Sequence, residues 1–418
     1  MELYLFNVGF GECCLLKQNN DNLLVDFGSD SGDKQRLIAQ TTSKIQQLCG
    51  EQPLSVLLTH FHNDHINGLT TYLNTISQTP ANVPFMFQTF YIPDIFAQNY
   101  SNAGIGYIHL FLLKDIFDAI IIRKKPVISL YELLKAFVNN KSHIEFLKRG
   151  DTFKLSDIDF DVLWPCFECI TIHKKTINRT INTLAQLNFI SVPTRLGYDT
   201  VSGDGTISLG IVDEFAQQLS DAFLRLRGNG TVSQTTMDQL EKTFKEIENQ
   251  CTITLVPNQT VTASYLRSLG NSLVNEANKL SIVFQDTGTP QFSKLLMTGD
   301  IPKTELRKLV TKDKAICSTL PQIKEQYKLI KAPHHGTQSH FISIFPKCEI
   351  ITASNGSTSH AKWGKIAFEY GALYASNRHI KMLCTNPRCE LVELARQGKG
   401  VQCSDCPKTI RPYYFVHL

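Results

Sequence analysis

The segment LLTHFHNDHINGL, residues 57–69, gathers His60, His62, Asp64 and His65, so three of the chain's twelve histidines fall in one short stretch. A polar loop following a strand accounts for such a cluster without chemistry. One end of a metal site accounts for it better. On a loop leaving a strand, side chains two apart can converge on one ion, and the next pair, Asp64 and His65, can reach a second. Imidazole and carboxylate suit zinc, and manganese or iron as the carboxylate share grows.

Three later segments have the same form, a short apolar strand ending in residues capable of chemistry. They are KLLMTGDI (294–301), YKLIKAPHHGTQSH (327–340) and CEIITASNGSTSH (348–360). Layered α/β folds build their sites at strand ends. The C-terminal region carries CTNPRC (384–389) and CSDC (403–406), with thirteen residues between the two motifs. That spacing predicts a structural zinc on Cys384, Cys389, Cys403 and Cys406, within a strand-turn-strand hairpin that could present Arg388, Lys399 and Lys408 to a polyanion. The plainer reading is two unrelated thiol pairs in a β-hairpin. The other eight cysteines (Cys13, Cys14, Cys49, Cys166, Cys169, Cys251, Cys317 and Cys348) are spread out and read as buried free thiols.

The elements that must position these residues follow from the pattern of the chain. Its 418 residues, 42% hydrophobic and 19% charged, suit a large globular protein and argue against disorder. A formal net charge of +4 is too mild to point to nucleic-acid binding by itself. ELYLFNVG, CCLLKQ and NLLVDFG predict a β-meander, DKQRLIAQTTSKIQQLC a helix, and PLSVLLTH a strand covered on both faces. Residues 86–150 read as an aromatic-rich, mostly helical insertion, with ISLYELLKAFV its clearest amphipathic stretch. Strand alternation returns in DTFKLSDIDFDVLWP, and 166–275 reads as a second helical insertion or lid. The core resumes over 276–380, leaving 381–418 as the cysteine-rich hairpin. The longest apolar run, IGYIHLFLLKDIFDAIII, is interrupted by His109, Lys114, Asp115 and Asp118, so it predicts a buried or amphipathic helix and no membrane span. MELYLFNVGF reads as a first strand and not as a signal peptide, so a cytoplasmic protein is expected.

At these residues the chain resembles the metallo-β-lactamase superfamily, whose hydrolases carry H-x-H-x-D-H at the end of a core strand. LYLFNVGFGECCLL, LLVDFGSD, LLMTGDI, LIKAPHHGTQSH and ITASNGSTSH are similar, in order, to the blocks of its ComEC-like branch, and together they cover roughly half the chain. The resemblance implies an α+β fold, a four-layer αββα sandwich carrying the helical insertions and the C-terminal hairpin. It implies two divalent metals, zinc or manganese, held by His60, His62, Asp64, His65, Asp300 and His334, with Asp300 between them. Asp26 would orient a ligand histidine, or be a turn aspartate before Gly28. Phe10 and Glu12 depart from the branch's usual glutamine and aspartate. His60 and His62 lack an evident third partner. His360 is the reasoned candidate, since His109, His143 and His173 sit in no recognisable motif.

Metal-bound water of lowered pKa is a nucleophile near neutral pH, and imidazoles can protonate a leaving group. Asp64, His335 and His360 form the expected catalytic set. Lys331 reads as an exposed strand-end lysine or a phosphate contact, and Ser354 and Asn355 as turn formers. The expected reaction is phosphodiester hydrolysis of a nucleic acid, nucleotide or small phosphoester, the chain acting alone, as an oligomer or with a protein partner. Hydrolysis of an ester or amide, of lactone or lactam type, and a non-catalytic metal-bound scaffold or effector subunit are the alternatives.

Overall fold

The expected meander opens the chain in the computed structural model, which describes residues 1–78, 87–96, 103–187, 209–254, 261–289, 291–311, 321–342, 346–353, 380–385 and 413–418. Strands β1 (Glu2–Phe6), β2 (Cys13–Gln18) and β3 (Asp21–Phe27) pair antiparallel. Leu3, Leu5, Cys14, Leu16, Leu23 and Val25 turn to a common core, as a side-chain period of two requires. β3 runs parallel to β4 (Leu54–Leu57), and β4 to β5 (Phe87–Pro93). Parallel neighbours need crossovers. Helices α1 (Lys34–Cys49) and α2 (Asn63–Gln78) supply them. Ile45 of α1 and Leu69 and Tyr72 of α2 line a small cavity with Leu24, Phe27 and Phe87, on the face of the sheet away from that core. β6 (Ile144–Leu147) and the C-terminal β14 (Tyr413–His417) complete the order β14-β1-β2-β3-β4-β5-β6.

The second sheet has the order β13-β12-β11-β10-β9-β8-β7. It is antiparallel through β7 (Thr152–Leu155), β8 (Ile158–Trp164), β9 (Val283–Asp286) and β10 (Phe292–Met297). It continues in parallel through β11 (Gln326–Lys331), β12 (Lys347–Ala353) and β13 (Lys381–Cys384). Phe153, Phe160, Val162, Phe284, Leu295, Met297 and Leu329 from this sheet share one core with the meander residues. Full burial of each such side chain stabilises by about 1.5–3 kcal/mol. Two mixed sheets closed on one core, with crossover helices, form an α+β architecture consistent with the metallo-β-lactamase sandwich.

Two compact units make up the chain. The first, 1–93, 145–169 and 279–418, contains both sheets and α9 (Lys303–Val310). The second, 94–144 and 170–278, holds α3 (Tyr107–Ile122), α4 (Ser129–Asn139), α5 (Lys174–Gln186), α6 (Ile211–Arg225), α7 (Gln234–Thr254) and α8 (Ala263–Asn278). α3 is buried over most of its length and packs against α4, α6, α7 and α8, which accounts for its long apolar run. Among the described residues, no helix is long and apolar enough to cross a membrane.

Two local readings change. Phe87–Pro93 and Ile144–Leu147, inside the stretch read as a mostly helical insertion, are strands of the first sheet. Short aromatic and aliphatic runs do not reveal their period by themselves. The described ends of 381–418 enter different sheets, β13 the second and β14 the first. Cys389, Cys403, Cys406 and the side chain of Cys384 lie outside the described residues, as do Ser354, Asn355 and His360. Cys166 and Cys169 are free thiols as read, and their sulfurs approach to 2.7 Å.

Within the helical unit, Asp115 of α3 accepts a hydrogen bond from the Ser129 N–H at the start of α4, at 2.8 Å. Burial outweighs Lys114 and the Ser129 contacts and raises this carboxyl from its ordinary 3.8 to about 6. The folded protein therefore holds the proton more tightly than the unfolded chain. The resulting stability is present below pH 3.8 and lost as pH rises through about 6. Asp115→Asn keeps an acceptor but has no charge to bury. Thermal melts should show it gaining on the parent as pH rises across that window, by up to about 3 kcal/mol. Asp115→Ala, which leaves the α4 N–H without its partner, should lose about 1 kcal/mol at low pH instead.

Candidate metal centre

β4 ends at Leu57, and α2 begins at Asn63 after five intervening residues. His60 and His62 therefore lie on the connecting loop, but Asp64 and His65 stand in the first helical turn, not on the loop read from the sequence. The signal was present: Ile66, Leu69 and Leu73 are all buried and repeat at helical spacing. A carboxylate in a helix's first turn is also favoured by the helix dipole.

Two glycines allow the turn to sit close to the meander. A Cβ on Gly28 would fall 2.5 Å from the Asp64 carbonyl carbon and 2.6 Å from the His65 nitrogen. A Cβ on Gly11 would fall 2.2 Å from the Gly28 carbonyl oxygen. The Glu12 N–H donates to Asp64 O at 3.0 Å, and the Gly28 N–H donates to Glu12 O at 3.1 Å. Gly28→Ala is expected to displace the start of α2, costing about 1–3 kcal/mol as overpacking does. Its metal affinity should also fall, and a melt paired with a zinc titration checks both.

Asp300, just beyond β10, is the common neighbour. Its Oδ2 lies 3.3 Å from His65 Nε2, 3.6 Å from His335 Nε2, 3.7 Å from His334 Nε2 and 4.0 Å from His60 Nε2. His60 Nε2 is 2.9 Å from His62 Nδ1, and His335 Nε2 is 3.2 Å from Asp64 Oδ2. Donor atoms of His60, His65 and Asp300 fall within 4.8 Å of one another, as do those of Asp64, His65 and His335. His60, His65, Asp300, His334 and His335 are buried, while the Asp64 side chain is 16% exposed and His62 is partly exposed, so solvent reaches the cluster on the Asp64 and His62 side.

The backbone supports this placement. Asp26, His334 and His335 all take left-handed φ, at 55°, 49° and 59°. Non-glycine residues hold that region only when their surroundings compel it. Asp26 Oδ1 accepts from the Thr59 N–H and Oδ2 from the Thr59 hydroxyl, both at 2.7 Å, and Oδ2 also lies 2.8 Å from His65 Nδ1. It thus stands behind a ligand candidate, with Nε2 turned to Asp300.

The electrostatics are those of a crowded, dry site. Burial and the neighbouring imidazoles hold His60 well below the usual histidine range, leaving it the neutral ring that binds metals. Burial lowers His334 to about 4. Burial acts against charge on His335 as well, but Asp300, Asp64 and Glu12 outweigh it and raise it to about 9.

Residues 7–84 match the family model of the metallo-beta-lactamase superfamily. The match takes in β2, β3 with Asp26 and the whole His60–His65 segment, and it points to a metal-dependent hydrolase in general. No curated protein matches the chain.

The metallo-beta-lactamase match implies divalent metals, and the donors fit them. His65 Nε2, turned toward Asp300, is buried and makes no hydrogen bond. Such atoms cost about 1–3 kcal/mol each when left unsatisfied. Nitrogen and carboxylate oxygen are zinc's usual ligands.

All six expected metal ligands come together here. The structure also brings in His335, read from the sequence as a leaving-group acid. It is fully buried, with Nε2 3.2 Å from Asp64 and 3.6 Å from Asp300. His109, His143 and His173 contact Asp213, Asn229 and Glu276 within the helical unit. Lys331 is not exposed: at 1% exposure it sits 2.8 Å from Glu12 Oε2. His340, given no role from the sequence, is buried with its ring 4.0 Å from that of His334, and Thr337 Oγ1 lies within hydrogen-bonding distance of both. Its place in APHHGTQSH was the available signal.

Proposed function

We propose that the chain is a metal-dependent phosphodiesterase or nuclease of the ComEC-like branch. The observation that carries the reading is the convergence of four histidine nitrogens on Asp300 Oδ2. His60, His62 and Asp300 would hold one zinc or manganese ion, and Asp64, His65, Asp300 and His334 or His335 a second. When bound, the pair supplies Lewis acidity toward a phosphoryl oxygen and lowers the pKa of water. The chain's own residues do the rest. Asp26 holds the His65 ring in orientation. Asp64, at the solvent-facing side, is kept ionised by His65 and His335 despite its burial, the form in which a carboxylate binds a cation. The closed apolar sandwich behind the site excludes water from its inner wall.

A phosphodiester suits the site because histidine-held cations stabilise the negative charge of a phosphoryl transition state. The zinc- or manganese-loaded protein should hydrolyse bis(p-nitrophenyl) phosphate and lose that activity on chelation. Turnover of p-nitrophenyl acetate, a lactone or a β-lactam in preference to the diester overturns the phosphodiester reading. Absence of turnover across the whole panel in a metal-loaded sample favours the scaffold.

A further inference from the structure

The four histidine nitrogens approach Asp300 through Oδ2, while Oδ1 has a different neighbour. Lys331, at the end of β11, places Nζ 3.7 Å from Asp300 Oδ1, 3.2 Å from the Gly299 carbonyl and 2.8 Å from Glu12 Oε2. Glu12 in turn lies 3.6 Å from His335 Nδ1 through the same Oε2. Lys331 and Glu12 are each 1% exposed. Neither can meet a substrate from there, so the pair acts through the residues it touches.

We infer that Glu12 and Lys331 are positioning residues for the metal centre: Lys331 holds Asp300 with Oδ1 turned inward and Oδ2 toward the histidines, and Glu12 balances the lysine charge while backing His335. The inference rests on the metal reading above and names the residues that set its geometry. Three points support it. A flexible lysine stem is constrained only if its ammonium is satisfied, and here a carboxylate forms an ion pair with it and a carbonyl accepts from it. An unbalanced buried ammonium beside Asp300 would compete with a cation for that carboxylate, and Glu12 removes the competition. Glu12 is also tied to the ligand turn through its main chain, since its N–H donates to Asp64 O. One residue therefore connects the meander, the Asp64 turn and the His335 turn.

The test measures zinc affinity by chelator competition, with circular dichroism as the check on folding. The double variant Glu12→Gln/Lys331→Gln replaces a net-neutral pair by another, so the charge felt by a metal is unchanged and only the positioning is lost. Its zinc affinity should fall about 10–100-fold, the usual effect of removing residues that orient metal ligands. Glu12→Gln alone leaves the lysine charge to Asp300 and should weaken zinc more than the double variant does. Parental zinc affinity in a folded double variant overturns the inference, and so does failure of the double variant to fold, which would assign the pair to core stability. A parent protein that binds no zinc or manganese refutes the metal centre itself, a distinct result.

Discussion

Asp300→Ala is expected to abolish hydrolysis and metal retention while leaving the sandwich folded. Among the described residues, Asp300 is the one whose carboxylate lies within 4.0 Å of His60, His65, His334 and His335 together. Its removal takes a donor from both candidate ion positions. Loss of a residue that merely orients a ligand costs about 10–100-fold in metal affinity, so loss of this shared ligand should exceed about 100-fold. Folding should survive because the lysine beside it keeps its Glu12 partner at 2.8 Å. Without the carboxylate, the charged forms of His65 and His335 lose their largest stabilising neighbour, and both rings can become neutral. Asp300→Asn provides the control, since it preserves volume and an acceptor for Lys331 but not the charge. Metal content after dialysis and thermal melts with added zinc give the readout. The parent should gain about 2.7 kcal/mol at zinc concentrations of 100 times Kd, and Asp300→Ala should gain none. A variant that still retains its metal would remove Asp300 from the centre.

The parts of the site legible in the sequence share one property: each lies at the end of an apolar strand. β4 leads to His60, β10 to Asp300 and β11 to His334, and a short apolar run that gives way to polar residues marks such an end. The Glu12–Lys331 pair was not legible, because its members belong to opposite ends of the chain and meet only when the two sheets close. A lysine at a strand end reads as exposed unless its neighbours are known. β11 lies between β10 and β12, so this lysine emerges in the interior of the sheet and is buried. Phe87–Pro93 was lost to a different ambiguity, since a short run such as FQTFYIP fits a helix or a strand until its pairing with β4 decides. In the helical unit, the amphipathic spacing of α4, α6 and α7 was readable. That segments from both insertions form one compact unit was not, because spacing marks an apolar face without naming what covers it.

The second large effect is expected from Asp26→Asn, and the conservative change should harm function more than its size suggests. In the parent, Asp26 Oδ2 lies 2.8 Å from His65 Nδ1 and accepts from the Thr59 hydroxyl at 2.7 Å, while Oδ1 accepts from the Thr59 N–H. A carboxylate only accepts, so in the neutral ring that binds a metal Nδ1 must carry the proton and Nε2 keeps its lone pair toward the metal side. Asparagine keeps one oxygen for the Thr59 N–H, which directs its NH2 toward the hydroxyl and His65 Nδ1. A donor there selects the other tautomer, with the proton on Nε2, and a protonated Nε2 cannot bind a metal. The Thr59 hydroxyl can rotate to accept from the amide, so the fold has little reason to fail. Wrong-tautomer changes of this type cost about 10⁴-fold in catalysis in the serine protease triad, while removing an orienting carboxylate from a metal site costs about 10–100-fold in affinity. Asp26→Asn should fall between these limits in turnover, with a melt close to the parent's in chelator. Asp26→Ala imposes no tautomer, so it should bind zinc better than Asp26→Asn despite the larger structural loss. Nitrogen chemical shifts of the His65 ring in the apo protein, taken at a pH high enough to leave the ring neutral, report the tautomer directly. Finding Nδ1 protonated in Asp26→Asn, with zinc affinity nonetheless reduced, would rule out the tautomer mechanism and leave only loss of charge.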